Sequence, residues 1–224
     1  MKFKQHILAV SLLLDAASFN AHAALISSTG ADNVGLVYSS ESNVTWTQDA
    51  NLLKTLYDSD NSVISQIAAV TPTYKDPFYG LQTIDPDDFN TGTGQMSWWG
   101  GIAFVNYLSF INYGGSTQWR LPTVTDTGPP GCWYDFLGTD CGYNVDTNTG
   151  ELAKLYYDEL GGVAGSPIPN TPTFNNEQAD VYWSGTECTR LILTTRGTSR
   201  PTMATRPTAL STSSNTHGQS VRDN

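Results

Sequence analysis

Histidine is almost missing from this chain. His6, His22 and His217 sit near the ends, and none falls between Ala23 and Thr216. A body without histidine has no Ser-His-Asp or Cys-His relay and no histidine-based zinc site, which excludes most hydrolase and metalloprotease chemistry. Charge is sparse as well, at 14% of 224 residues, where an average soluble protein has about a quarter. Positive charge is the scarcer sign. Between Ala24 and Glu187 the basic residues are Lys54, Lys75, Arg120 and Lys154, four against nineteen acidic ones, a balance of −15. Nucleic-acid binders carry a basic footprint, so that class is excluded too. Long apolar runs are absent. The stretch Ile7–Leu14 would span about 12 Å as a helix, far short of a bilayer core of roughly 30 Å, so no membrane span is expected. The length allows one large domain or two small ones, with ample chain for a core.

What is present begins with an export signal. Lys2 and Lys4 form a positive n-region, Ile7 to Leu14 an apolar h-region, and Ala21-His22-Ala23 a small-x-small cleavage site. Residues 1–23 are therefore expected to be removed, leaving a secreted, periplasmic or cell-surface protein that starts at Ala24. The other end changes character. Residues 188–224 hold nine threonines, five serines and five arginines without an aromatic, whereas residues 24–187 hold six tryptophans and eleven tyrosines. By composition this tail reads as a disordered, Ser/Thr-rich basic segment.

In the body, Val34–Tyr38 and Val44–Trp46 read as two strands around a polar turn at Ser39–Asn43. Thr47 or Asp49 is placed to cap a helix carrying Leu53, Leu56 and Tyr57, and Val63, Ile67 and Val70 mark a second. Residues 71–90, with prolines at 72, 77 and 86, are expected as loop, and Asp85, Asp87 and Asp88 as a solvated acidic cluster rather than a metal cage. Ser97 is expected to cap an amphipathic helix through Trp98, Ile102, Val105 and Leu108, stopped by Gly114-Gly115. A further helix is expected over 151–160 and a strand at Val181-Tyr182-Trp183. There is no internal repeat. Short strands, two or three short helices and long loops define an α+β fold.

In an oxidising compartment Cys132 and Cys141 are expected to form a disulfide. On a chain-entropy basis that loop closure contributes roughly 2.5–3 kcal/mol. Their neighbours Asp135 and Asp140 disfavour a reactive thiolate. Asp146, Asn148 and Glu151 resemble part of an oxygen-rich calcium loop, but the favoured reading is a plain turn into a helix capped by Thr149. No other cofactor is expected, and no catalytic residue is assigned, although a carboxylate-based hydrolase is the least favoured of three functional readings. Tryptophan faces can stack on sugar rings, but most of the six are expected in the core or pinning loops. Arg120, one of four cations in the body, is expected in an internal ion pair that fixes the loop after Pro122.

Several segments together resemble a known family. They are Gly35–Tyr38, Thr45–Asn51, Met96-Ser97-Trp98, Trp119–Val124 with its Arg120-Leu121-Pro122 centre, Leu155–Gly161 and Tyr182–Glu187 with Trp183. With Trp46 and Trp119 as fixed aromatic points, their order and spacing over about 33–187 resemble the Lcl C-terminal domain family of exported bacterial proteins. More distantly they are similar to formylglycine-generating-enzyme-like and C-type-lectin-like domains. The resemblance implies a lectin-like α+β unit over 24–187 with a small twisted antiparallel sheet. It also implies adhesion, through an extracellular glycan or a cell-surface component, with a structural or assembly role in the cell envelope as the alternative. Three features depart from that pattern. The −15 body repels polyanions, Ile168-Pro169-Asn170 is a partial echo of the lectin Glu-Pro-Asn motif, and Cys132 and Cys141 do not match the redox pair of the formylglycine-generating enzymes. The family's closing strands have no counterpart after Glu187, which is why the resemblance favours a frame change near residue 188.

Overall fold

The computed structural model describes residues 25–77, 79–125, 145–178, 182–186 and 214–215. The expected export signal with its cleavage site, the expected Cys132–Cys141 disulfide and most of the 188–224 segment lie outside the described residues.

Alternating side chains build the first sheet. β1 (Leu25–Thr29), β2 (Gly35–Ser39) and β3 (Val44–Thr47) pair antiparallel, and β6 (Ser214–Asn215) adds to the outer side of β3. The β2–β3 register sets Val37 opposite Trp46, and both are fully buried. The turn between them closes through Ser42 N–H donating to Ser39 Oγ (3.0 Å). Asn43 takes a positive φ of 53° there, a conformation asparagine tolerates better than most residues.

Two helices follow, α1 (Leu52–Ser59) and α2 (Val63–Val70), near the positions expected. The cap of α1 differs. Asn51 is the capping residue, and the Asp49 carboxylate supports it from outside, accepting Asn51 N–H (2.8 Å) and the Thr55 hydroxyl (2.6 Å).

Residues 71–90 are not all loop. β4 (Thr73–Asp76) and β5 (Gly80–Thr83) form a separate two-stranded hairpin. The acidic cluster then folds on itself. Asp85 and Asp88 make a reciprocal capping box around a 3-10 turn, Pro86–Asp88, which docks on the next helix as Ser97 N–H donates to Asp88 O (2.8 Å).

That helix, α3 (Trp98–Phe110), begins as expected, with Ser97 Oγ accepting Gly100 N–H at 3.0 Å. It is not amphipathic. Gly100, Gly101, Ala103, Phe104, Val105, Tyr107 and Leu108 are all buried, so packing surrounds most of it. A Cβ at Gly100 would lie 3.0 Å from Asp88 O, so glycine lets the acidic turn approach. α3 ends before the glycine pair, where Asn112 adopts the left-handed conformation.

α4 (Glu151–Ala153) continues as a π-helical turn, Lys154–Glu159, burying Leu152, Leu155 and Tyr156. Its cap is Gly150 rather than Thr149, whose hydroxyl donates to Asp146 O (2.7 Å). Residues 182–186 form no strand. The fold is α+β as expected, and the described residues hold two antiparallel sheets and four helices, one in each of the four stretches read as helical. No helix among the described residues is long and apolar enough to cross a membrane.

Apolar residues gather in two clusters. One centres on α1, α2 and α3 with Trp119 and Leu121. The other joins Val37, Val44, Trp46 and Ala50 to Leu152, Leu155 and Phe174.

Candidate functional site

The segments singled out in the sequence meet. Trp183 Nε1–H donates to Met96 O (2.8 Å) and Trp98 Nε1–H to Ser184 O (2.7 Å), so two indoles lace the 182–186 segment to the start of α3. Gly185 N–H donates to Pro122 O (2.7 Å), and the Thr186 hydroxyl donates to Val124 O and accepts Val124 N–H, both at 2.8 Å. Trp119 is buried and donates to Tyr113 O (2.9 Å). Trp99 Nε1–H donates to Asp76 Oδ2 (3.0 Å). Of the tryptophans described, Trp46 is fully buried and the other four spend their N–H internally, as core and loop-pinning residues do. Trp46 Nε1 is buried without a hydrogen-bond partner.

Arg120 makes the internal ion pair. Its Nη1 and Nη2 donate to Glu151 Oε2 (2.8 Å) and Oε1 (2.7 Å), a fork on one carboxylate. Glu151 Oε2 also accepts Thr123 N–H (2.8 Å). Burial pushes the Glu151 carboxyl up, but hydrogen bonds from Arg120 and Thr123 and the Arg120 charge outweigh it and hold the group below its ordinary value. Arg120 therefore ties the Arg-Leu-Pro-Thr segment to the head of α4, after Pro122 as expected.

The calcium-loop candidates are arranged as a turn. Asp146 Oδ1 accepts both N–H and Nδ2–H of Asn148 (2.9 Å each), an Asx turn that lowers the Asp146 pKa. Glu151 belongs to Arg120. Among the described residues no three His, Cys, Asp or Glu side chains gather as a metal-holding group.

Beside this pair lies an open cleft of about 240 Å³. Its walls come from the β2–β3 turn (Glu41, Ser42), from Thr123 and Thr125, from Thr147–Gly150, and from the head of α4 (Glu151, Lys154). Lys154 holds it at one side, 3.7 Å from Glu41 and 3.4 Å from Asp158, with its side chain 18% exposed. Ser42 Oγ is buried in the wall without a hydrogen-bond partner. Behind Lys154, Glu159 Oε1 accepts the hydroxyl of fully buried Ser39 (2.7 Å), while Oε2 is buried and unpartnered. Burial, then the nearby Glu41 and Asp158 charges, raises the Glu159 pKa against the Ser39 bond and the Lys154 charge.

Hydroxyls, one amide, two carboxylates and an ammonium thus line one space without an aromatic floor among the described residues. Such a set donates and accepts hydrogen bonds in several directions and suits a ligand with many polar edges. Sequence reading brought Asn148 and Glu151 here, but missed Glu41, Ser42 and Lys154. The scarcity of cations in the body was the signal available for Lys154. No protein-family model, curated protein or solved structure matches the chain.

Proposed function

We propose that this protein is an exported, non-catalytic binding or adhesion module, a lectin-like α+β unit of the Lcl C-terminal type, that takes an extracellular glycan in the cleft between the β2–β3 turn and the head of α4. The observation that carries the reading is the polar lining of that cleft, from Glu41 and Ser42 across to Thr147, Asn148 and Lys154. A sugar presents hydroxyls that both donate and accept, which this mixture can satisfy. The acidic body disfavours sulfated or other polyanionic chains, so neutral glycans are the expected ligands. Calcium is not required by this reading.

A glycan array run with and without calcium tests it. Retention of neutral saccharides is expected, and Thr147→Trp, which fills the cleft from an exposed loop, is expected to abolish it without lowering the melting temperature. If no saccharide is retained in either condition, the protein is better read as a structural or assembly component of the cell envelope. One observation favours that second reading: β1 lies at the edge of its sheet, and Ile26 on it is 50% exposed.

A further inference from the structure

A second cavity of about 310 Å³ has lining wholly different from that of the cleft: Pro167, Ile168, Asn170, Glu177 and Gln178. Pro167 and Ile168 make an aliphatic wall, and Asn170 and Gln178 bring amides. Among the described residues of the lining, Glu177 is the one ionisable group. Its Oε1 is buried and has no hydrogen-bond partner, and neither has the buried Oγ1 of Thr171, the residue after Asn170. Buried polar atoms are normally paired, and withdrawing a carboxylate oxygen from water without a donor is costly. A carboxylate only accepts, and although the Asn170 and Gln178 amides in the lining can donate, what Glu177 lacks here is a positive charge. Among the described residues no lysine or arginine lines it to supply one. A calcium ion would call for about six to eight oxygens, which a half-aliphatic wall does not offer. A protonated amine on a frame with both C–H and hydroxyl edges answers each part: N–H to Glu177, hydroxyls to the amides, and C–H against Pro167 and Ile168.

We propose that this cavity binds a small organic ammonium of amino-sugar size, with the Glu177 carboxylate as its counter-ion. The acidic body, at −15 over residues 24–187, draws cations toward it. The site is independent of the glycan cleft, and the two stand or fall separately.

The test titrates the full chain with glucosamine hydrochloride in mildly acidic buffer, where the amine is charged, and follows backbone amides by NMR. Shifts confined to residues 167–178 are expected, with N-acetylglucosamine and glucose weaker by about tenfold or more. Glu177→Gln keeps the shape and removes the charge, so it is expected to fold and to lose the response to glucosamine. Thr147→Trp in the other cleft is expected to leave that response intact. Equal binding of glucosamine and its neutral analogues would overturn the proposal, as would an undiminished response in Glu177→Gln. Shifts produced by calcium chloride and competed by glucosamine would make the site a metal site instead and also overturn it. Absence of any glucosamine response in the wild-type chain overturns it directly, whatever the glycan array shows.

Discussion

Removing the Arg120 guanidinium would leave the Glu151 carboxylate buried against Thr123 N–H with its charge unmatched, because both of its oxygens now receive Arg120. Hydrogen bonds to a charged group contribute about 1.5–3 kcal/mol, so Arg120→Ala is expected to lower stability to chemical denaturation by about 2–3 kcal/mol. Arg120→Lys keeps the charge but not the fork, and is expected to recover less than half of that loss. The pair also fixes a pH response. The Glu151 pKa lies below its ordinary 4.5, so the stability it contributes is fully present above that value and disappears as pH falls through the lowered one. Glu159 behaves in the opposite way. Its pKa is raised from 4.5, so the native state holds its proton more tightly than the unfolded chain, and stability declines as pH rises from 4.5 through the raised value. Glu159→Gln can still accept from Ser39, and is expected to raise stability at neutral pH. The gain should be less than about 1 kcal/mol, since water screens a half-buried group. The difference between the two proteins should vanish below about pH 4, where both side chains are neutral. A neutral-pH melting temperature for Glu159→Gln at or below that of the wild type would contradict this account.

At the scale of elements, α3 is held by what is laced to it. Trp183→Phe keeps the ring in the helical cluster but removes the donor to Met96 O, and its expected cost is about 1–2 kcal/mol. Hydrogen exchange should quicken at Gly185, whose N–H bond to Pro122 O depends on the same segment. An unchanged exchange rate there would mean that the reciprocal Trp98–Ser184 bond suffices alone. How much of this could be read beforehand depended on whether the signal was local. The β2–β3 hairpin was legible because its side chains alternate between buried and partly exposed, and the start of α3 because a serine cap leaves a local mark. The β4–β5 hairpin was not, since Thr73–Asp76 and Gly80–Thr83 carry little apolar alternation and stand among prolines. α3 passed for amphipathic because neighbours far apart in the chain, such as Leu121 and Trp183 against Gly101, bury its remaining face. The Arg120 ion pair was legible from the scarcity of cations, yet its partner was not, and Glu151 stood instead among calcium candidates. Neither cavity has a pattern of its own. The cleft joins stretches about a hundred positions apart, from Glu41-Ser42 to Thr147–Glu151, and threonines and asparagines are too common to mark a site.

For the molecule as a whole, the question is whether two apolar clusters make two units of stability or one. β2 decides it in part, since Leu36 packs on the helical cluster while adjacent Val37 is buried in the sheet cluster. The 182–186 segment repeats the arrangement, with Tyr182 on one cluster and Trp183 on the other. Losing either cluster would unpack one side of β2 and of the 182–186 segment while the other side stayed packed. The Arg120–Glu151 fork and the Thr123–Glu151 and Thr125–Thr149 backbone bonds add a second tie between the segment bearing Trp119 and Leu121 and the helix bearing Leu152 and Leu155. Melting one cluster alone would therefore break shared elements without releasing their full entropy, and a single transition is expected. Leu108 and Leu155 are both fully buried, one in each cluster. Leu108→Ala and Leu155→Ala should each cost about 2–5 kcal/mol and move the same calorimetric transition. Because the two sites share no packing partners, their costs should add in the double variant to within about 0.5 kcal/mol. Calorimetry of Leu155→Ala showing a separate low-temperature step, with the α3 cluster melting at the wild-type temperature, would establish two units and show that β2 does not couple them.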